Sequence, residues 1–572
     1  MWFNSLISEF LKWRYSVKKL TIFLFSCSVL AAQPLIFPKG IVNGASYARP
    51  GVPAGAIARG SLFTIFGKTL GPAAPGVQVS AFPIGTTLSG VSVRVTQGSV
   101  GLDALPVFVL DGQLNVIMPS NAALGLASVQ VTYNGVKSNP SPVQIVNSSF
   151  GAFAANSGGF GPSIVQNFVS ADVQPINSLT VTATPAQVVT LWGTGLGPAN
   201  GPDNVAPTAG NLATPVEIWV GGKAVASSDI LYSGRSPCCS SIDQIVFKLP
   251  TDAPQGCYVP VLVRTDHTVT SNATTIAIQS QGQSCSDSGN PFAPVYTAPS
   301  KTGTITLSRV QFIAQTDIPQ PTQLNLDIGG AVFRQEPGGQ FFFNSAYAFP
   351  PAGACTVYTG QGNILVQDAV PGSTRTGKSL NAGASLNLTG GSGSRQLART
   401  GTDFPEYHTY IGSSVQSLQL PPLYLDPGNY SVAGTGGPDV GAFQAKINVL
   451  PVLSYLNLSS ISTINRAQGL TVTWAMPDAR IAAVAIVGGN YDVPTDSSGV
   501  FLCLAPASAL AFSVPPYILG AIPQSRQMAY QSQGYLFMGT ALYEPSASFT
   551  AQGLDTGFGI SITASGRTVL FQ

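Results

Sequence analysis

The phrase "LFTIFGKTLGPA", Leu62 to Ala73, returns as "VVTLWGTGLGPA", Val188 to Ala199, 126 residues further along the chain. The echo continues downstream. "GVSVRV" (Gly90 to Val95) matches "PVEIWV" (Pro215 to Val220), "GQLNVIMP" (Gly112 to Pro119) matches "DQIVFKLP" (Asp243 to Pro250), and "SNPSPVQI" (Ser138 to Ile145) matches "SNATTIAI" (Ser271 to Ile278). The offset drifts to 133, as it does when insertions gather in loops. The first half of the chain is therefore predicted to hold two copies of one domain.

Each copy alternates short apolar stretches with Gly, Pro or Asn breaks, the spacing of an antiparallel β-sandwich. Leu62, Thr64 and Phe66 point one way and Phe63 and Ile65 the other, so this strand is apolar on both faces and is predicted to be interior. Gly67 and Gly71 let the chain turn where a Cβ would clash, and Pro72 stops the strand from pairing further. Read as a phosphate cradle, "GTGLGPANG" fails: no helix pattern follows it, and no Lys-Ser/Thr pair completes it. The phrase is a strand and its corner.

A chain of 572 residues exceeds what one core serves, so several domains are expected. Charged residues are 9% of it, against roughly 25% in an average soluble protein. Their place is taken by Gly, Pro and uncharged polar residues, which suit strands and turns. With 26 Lys and Arg against 24 Asp and Glu, no broad field exists to hold nucleic acid, which is excluded as a partner. Lys12, Arg14, Lys18 and Lys19 precede an apolar run, Leu20 to Leu30, and then Ala31 and Ala32. A basic region, a short apolar core and small residues read as a signal peptide over 1–32. The run is shorter than the ~20 residues needed to cross a bilayer, so no transmembrane span is expected in the mature chain. "LFSC", ending at Cys27, offers the alternative of a lipid-anchored envelope component.

Beyond Cys27 the cysteines are Cys238, Cys239, Cys257, Cys285, Cys355 and Cys503, an even set that favours bridges outside the cytoplasm. Neighbouring Cα atoms lie ~3.8 Å apart, below the usual disulfide range, so a Cys238–Cys239 bridge is not expected. Two schemes remain, joining Cys238 and Cys239 separately to Cys257 and Cys285. Cys355 and Cys503 form the other expected pair, which requires the last two regions to pack together.

"IVNGASY" (Ile41 to Tyr47), the "GxxLGP" corner, "GQLNVIMP" and "SNP" together resemble the uncharacterised secreted family named after Solibacter, whose domains are similar to the IPT/TIG-type immunoglobulin-like fold. The second copy, with "SPCCSSIDQIVFKLP" and "GCYVPVLVR", resembles the companion domain of such proteins. The resemblance implies a β-sandwich and export, and brings no catalytic residue with it. The expected fold is all-β, a string of immunoglobulin-like β-sandwich domains: copy one over 41–148, copy two over 163–286, a Ser/Pro/Gly linker over 287–301, a third domain over 302–449 and a fourth over 450–572.

Residues for chemistry are scarce. The two histidines, His267 and His408, fall in different domains, and no metal-ligand spacing occurs, so neither metal nor cofactor is expected. A Cys355–His408 dyad competes with the Cys355–Cys503 bridge. Past the leader there are four Glu: Glu217, Glu336, Glu406 and Glu544. The densest polar-aromatic cluster is Asp403, Glu406, Tyr407 and His408, the one place where paired carboxyl chemistry on sugars could gather. The expected function is a non-catalytic secreted or cell-surface module for adhesion, scaffolding or binding, its partner an unidentified protein or glycan surface. An extracellular carbohydrate-active enzyme with the repeats as accessory domains is the rival.

Overall fold

A computed structural model describes residues 33–199, 201–282, 284–287, 290, 292–293, 296–314, 322–364, 377–402, 406–475, 478–526 and 534–572. The expected signal peptide 1–32, with Cys27, and the site candidate Asp403 lie outside the described residues. The chain is all-β, built from sandwich domains whose strands pair mainly antiparallel.

The repeat is reproduced down to strand register. Strand Leu62–Lys68 pairs with Gln113–Ile117 from Leu62 opposite Ile117 to Phe66 opposite Gln113. In the second copy Val188 stands opposite Lys248 and Trp192 opposite Gln244, which are the equivalent positions of the two quoted phrases. Both copies also end alike, with a two-residue parallel bridge onto the last strand: Ile57 and Ala58 on Ile145 and Val146, Gly161 and Pro162 on Thr274 and Thr275. The copies part at one element. Val100–Leu110 is continuous and pairs first with Val91–Gln97, then with Gln113–Ile117, joining both layers into one sheet. Its counterpart is broken by a 3-10 turn, Ser227–Asp229, and the layers stay separate.

The shared "SN" of "SNP" and "SNA" has a structural task. Ser138 Oγ accepts the Val131 N–H at 3.0 Å and donates to the Asn139 carbonyl; Ser271 does the same with Val263, also at 3.0 Å, and Asn272. Asn139 then accepts the Ile36 N–H at 2.8 Å and donates to the Ile36 carbonyl at 3.2 Å. Asn272 holds Ala152 identically, at 2.9 Å for each bond. A side-chain amide thus stands in for a neighbouring strand, satisfying backbone groups that would be costly to bury alone.

The second half departs from expectation. Strands Ser300–Ala314, Thr322–Glu336 and Ala354–Gln361 share a ten-stranded sheet with Ala483–Asp492, Ser497–Pro506, Gly534–Phe549 and Thr556–Phe571. The expected division into separate domains 302–449 and 450–572 is therefore corrected. Its cause is the parallel pairing of Ser300–Ala314 with Thr556–Phe571, from Thr302 opposite Thr556 to Ile313 opposite Arg567. Parallel strands need no shared turn, so nothing local in the sequence marks them as neighbours.

Side-chain alternation gives this sheet two buried faces. On one, Ile305 and Leu307 pack under the four-stranded sheet carrying Leu386, Leu388, Val432 and Ile447. The same face, further along, packs Ile486, Phe501 and Leu536 against Trp474 and the short helix Pro516–Leu519. The opposite face, with Val310, Phe537 and Ile562, is covered by Phe342, Phe343 and Tyr347 and by Phe160 and Tyr258 of the second copy. The described residues of the segment expected as a linker, 287–301, also belong here. Phe292 and Tyr296 are buried, Asn290 donates to the Tyr347 carbonyl at 2.7 Å, and strand Ser300–Ala314 has already begun. Two aromatic side chains outweigh the Ser/Pro/Gly composition that suggested a spacer.

The disulfides are Cys238–Cys239, Cys257–Cys285 and Cys355–Cys503. The two schemes expected from the sequence are overturned. Cys238 and Cys239 precede strand Asp243–Lys248 and Cys257 follows it. Six residues at ~3.3 Å each hold the two ends about 20 Å apart, far beyond bridging distance. Cys355 and Cys503 are directly opposed in an antiparallel pair, so they bridge within one sheet rather than across two domains.

Candidate functional site

Strand Tyr407–Ser413 pairs with Thr322–Glu336, placing Tyr407 opposite Ala331 and His408 opposite Gly330. Consecutive strand residues face opposite ways, so the predicted cluster is divided. Tyr407 packs edge-on to Phe333 at 5.6 Å and its hydroxyl donates to the Gly383 carbonyl at 2.7 Å. His408 lies edge-on to Tyr410 at 5.1 Å. Glu406 is buried, and its Oε1 accepts the Arg334 Nε–H at 2.8 Å. Burial pushes the Glu406 carboxyl above the usual carboxylate range, against the pull of Arg334.

Sequence reading missed the partners of Glu406. Arg334 and Glu336 are two apart on one strand and so share a face, and Glu336 is buried with its Oε1 accepting the Tyr347 hydroxyl at 3.1 Å. Burial raises the Glu336 carboxyl too, opposed by Tyr347 and by Arg334. The signal was present as two charges alternating inside an apolar strand. A carboxyl raised in the folded state contributes stability that is full below its unfolded pKa and is lost as pH rises through the folded one. Glu336→Gln, which keeps the acceptor for Tyr347 and removes the charge, is therefore expected to unfold at a higher temperature than the parent at pH 8. The difference should close at pH 4, and thermal melts across that range test it; a deficit that grows with pH would contradict the assignment.

The remaining candidates are also engaged. Glu217 accepts both Arg264 Nε (2.7 Å) and Nη2 (2.9 Å), with His267 Nδ1 at 3.1 Å. The fork of Arg264 holds its carboxyl below the ordinary value. Cys355 is bridged, which ends the proposed dyad with His408. Among the described residues no group of three or more His, Cys, Asp and Glu is placed to hold a metal ion.

Open space occurs where the first copy meets the ten-stranded sheet. Asn43 Oδ1 accepts the N–H groups of Ala45 (2.9 Å) and Ser46 (3.0 Å), while Nδ2 donates to the Ser149 carbonyl. This turn starts the loop of residues 46–55, in which Gly51 packs against Thr495 and Ser497. The Lys39 ammonium meets the Thr495 carbonyl and lies 3.9 Å from Asp496. Residues of this loop line two clefts. One, of about 480 Å³, is lined by Pro50, Val52, Pro53, Leu126, Pro523 and Arg526. The other, of about 510 Å³, is lined by Tyr47, Arg49, Phe160, Thr359, Gln361 and Asp496. The first is mostly apolar and the second mostly polar in its side chains.

No family model matches the chain, and no curated protein matches it. Among solved structures it is similar to titin domains A168–A170, at 9% identity over 71% of this chain and 94% of that one, with a TM-score of 0.13. It is also similar to SGBP-B of the Bacteroides ovatus mixed-linkage glucan utilization locus, solved with a mixed-linkage heptasaccharide, at 11% identity over 78% of each chain and a TM-score of 0.12. A third is domains 5–6 of the S-layer protein SbsC, at 12% identity over 43% of this chain and 98% of that one, TM-score 0.14. Scores this low carry nothing about ligand or partner.

Proposed function

We propose that the protein is an exported, non-catalytic multidomain module that binds a protein or glycan surface, and that it belongs with the secreted family its motifs resemble. The observation that carries this reading is the fate of its reactive side chains. Cys355 is spent on Cys503, Glu406 Oε1 on Arg334, and Glu217 on Arg264 and His267, while the two clefts stay open. Three disulfides support export, since such bridges persist outside the reducing cytoplasm. Among the described residues no helix is long and apolar enough to cross a membrane.

The test is a binding screen of the full chain on glycan and protein surfaces, run beside an assay for new reducing ends. Retention without turnover is the expected result. Release of sugar at a rate proportional to protein concentration would replace this reading with the carbohydrate-active one. The mass of the exported N-terminus tests the lipid-anchor alternative at Cys27.

A further inference from the structure

We infer that the polar cleft lined by Tyr47 and Arg49 is a binding site for an acidic saccharide, with Arg49 taking the sugar carboxylate. The inference rests on the binding-module reading and names its ligand class. All three packed units contribute to this cleft: Tyr47 and Arg49 from the first copy, Phe160 from the second, and Thr359, Gln361 and Asp496 from the ten-stranded sheet and its turn. Clefts between domains are favoured ligand sites, and about 510 Å³ lies within their usual range of roughly 300–1,000 Å³.

The charges decide the ligand's sign. Asp496 is 41% exposed, its Oδ1 accepting the Tyr491 hydroxyl at 2.9 Å and its Oδ2 accepting Gln361 Nε2 at 3.0 Å; the Lys39 ammonium 3.9 Å away offsets its charge, which leaves Arg49 as the excess charge of the cleft. Arg49 is half-buried on the cleft wall, and its guanidinium makes no hydrogen bond or ion pair among the described residues. A planar fork of donors without a partner matches a carboxylate. Around it the hydroxyls of Tyr47 and Thr359 and the amide oxygen of Gln361, whose nitrogen is fixed by Asp496, supply donors and acceptors for ring hydroxyls. One carboxylate site amid several hydroxyl partners is the pattern of a uronic acid. An acidic peptide would pair its backbone along the side of strand Ala354–Gln361 that has no ladder partner among the described residues, whose Thr359 and Gln361 line the cleft, and triglutamate is the control that separates it from a saccharide.

Lys39, Tyr47, Ser157 and Asp496, in or beside the cleft, have φ of 54°, 53°, 54° and 47°. Left-handed conformations in side-chain-bearing residues cost about 1 kcal/mol or more each and gather where a surface must hold a set shape.

The experiment is calorimetric titration of the full chain with trigalacturonate, with maltotriose and triglutamate as neutral and acidic-peptide controls. Trigalacturonate is expected to bind, to weaken with added salt, and to lose about tenfold or more in affinity in Arg49→Gln. Maltotriose and triglutamate should bind at least about tenfold more weakly than trigalacturonate. Because Arg49 contacts nothing with its head group, the variant should melt with the parent. No binding of trigalacturonate, equal binding of triglutamate, or affinity unchanged in Arg49→Gln would each overturn the site. A neutral glycan or a protein held normally by Arg49→Gln would do so while leaving the module reading intact; cleavage of trigalacturonate would instead defeat that reading.

Discussion

Arg235→Ala is expected to lower the stability of the junction between the two copies by about 3–5 kcal/mol. Arg235 and Asp243 form an ion pair with side-chain exposures of 4% and 0%. Arg235 Nη2 also donates to the carbonyls of Gly60 in the first copy and Gly197 in the second, both at 2.7 Å, while Asp243 Oδ2 accepts the Leu196 N–H at 2.8 Å. Removing the guanidinium leaves a buried carboxylate and two carbonyls without their donor. Burial already raises the Asp243 carboxyl against the pull of Arg235, so losing Arg235 raises it further. The deficit should therefore be larger at pH 8 than at pH 4. Hydrogen exchange in strands Leu62–Lys68 and Val188–Thr194 measures it; protection within 1 kcal/mol of the parent at pH 8 would show that the pair does not hold the junction.

The second large effect is expected from Cys355→Ser combined with Cys503→Ser. This bridge joins residues 148 apart in sequence, and chain-entropy arguments put the loss at about 5 kcal/mol. It also fastens strand Ala354–Gln361 to the sheet's outer side, where its only ladder partner among the described residues is Ser497–Pro506. The Cys257–Cys285 bridge spans 28 residues and should contribute about 3–4 kcal/mol, whereas Cys238–Cys239 closes no chain loop and should contribute little. Melts of the three Ser pairs under non-reducing conditions give the order. A Cys238→Ser, Cys239→Ser variant as unstable as the 355/503 pair would overturn it.

The first half of the fold was legible because the repeat fixes it twice. Leu62 with Ile117 and Val188 with Lys248 occupy matching positions, and the glycine and proline corners bound each strand. The second half was not legible. Thr302 meets Thr556, a contact made by two ordinary apolar strands with hundreds of residues between them and no turn to announce it. The pairing of Cys238 with Cys239 is hidden for a related reason: the length of strand Asp243–Lys248, which keeps both away from Cys257, is not visible in cysteine spacing alone. At the site, Glu406 stood out in the sequence, but its burial depends on Arg334, which lies 72 positions earlier. Arg49 carried no motif of its own and gained meaning only from the walls around it.

The place of Thr556–Phe571 between Gly534–Phe549 and Ser300–Ala314 governs the timing of assembly. As the polypeptide is made, both repeats can close as soon as each has emerged, since their ladders span little more than a hundred residues. The large layer must wait for a strand translated some 250 positions after the first one. In the interval Ser300–Ala314 keeps one apolar border without its later partner, and such late, long-range strand pairing is intrinsically slow and exposed to aggregation.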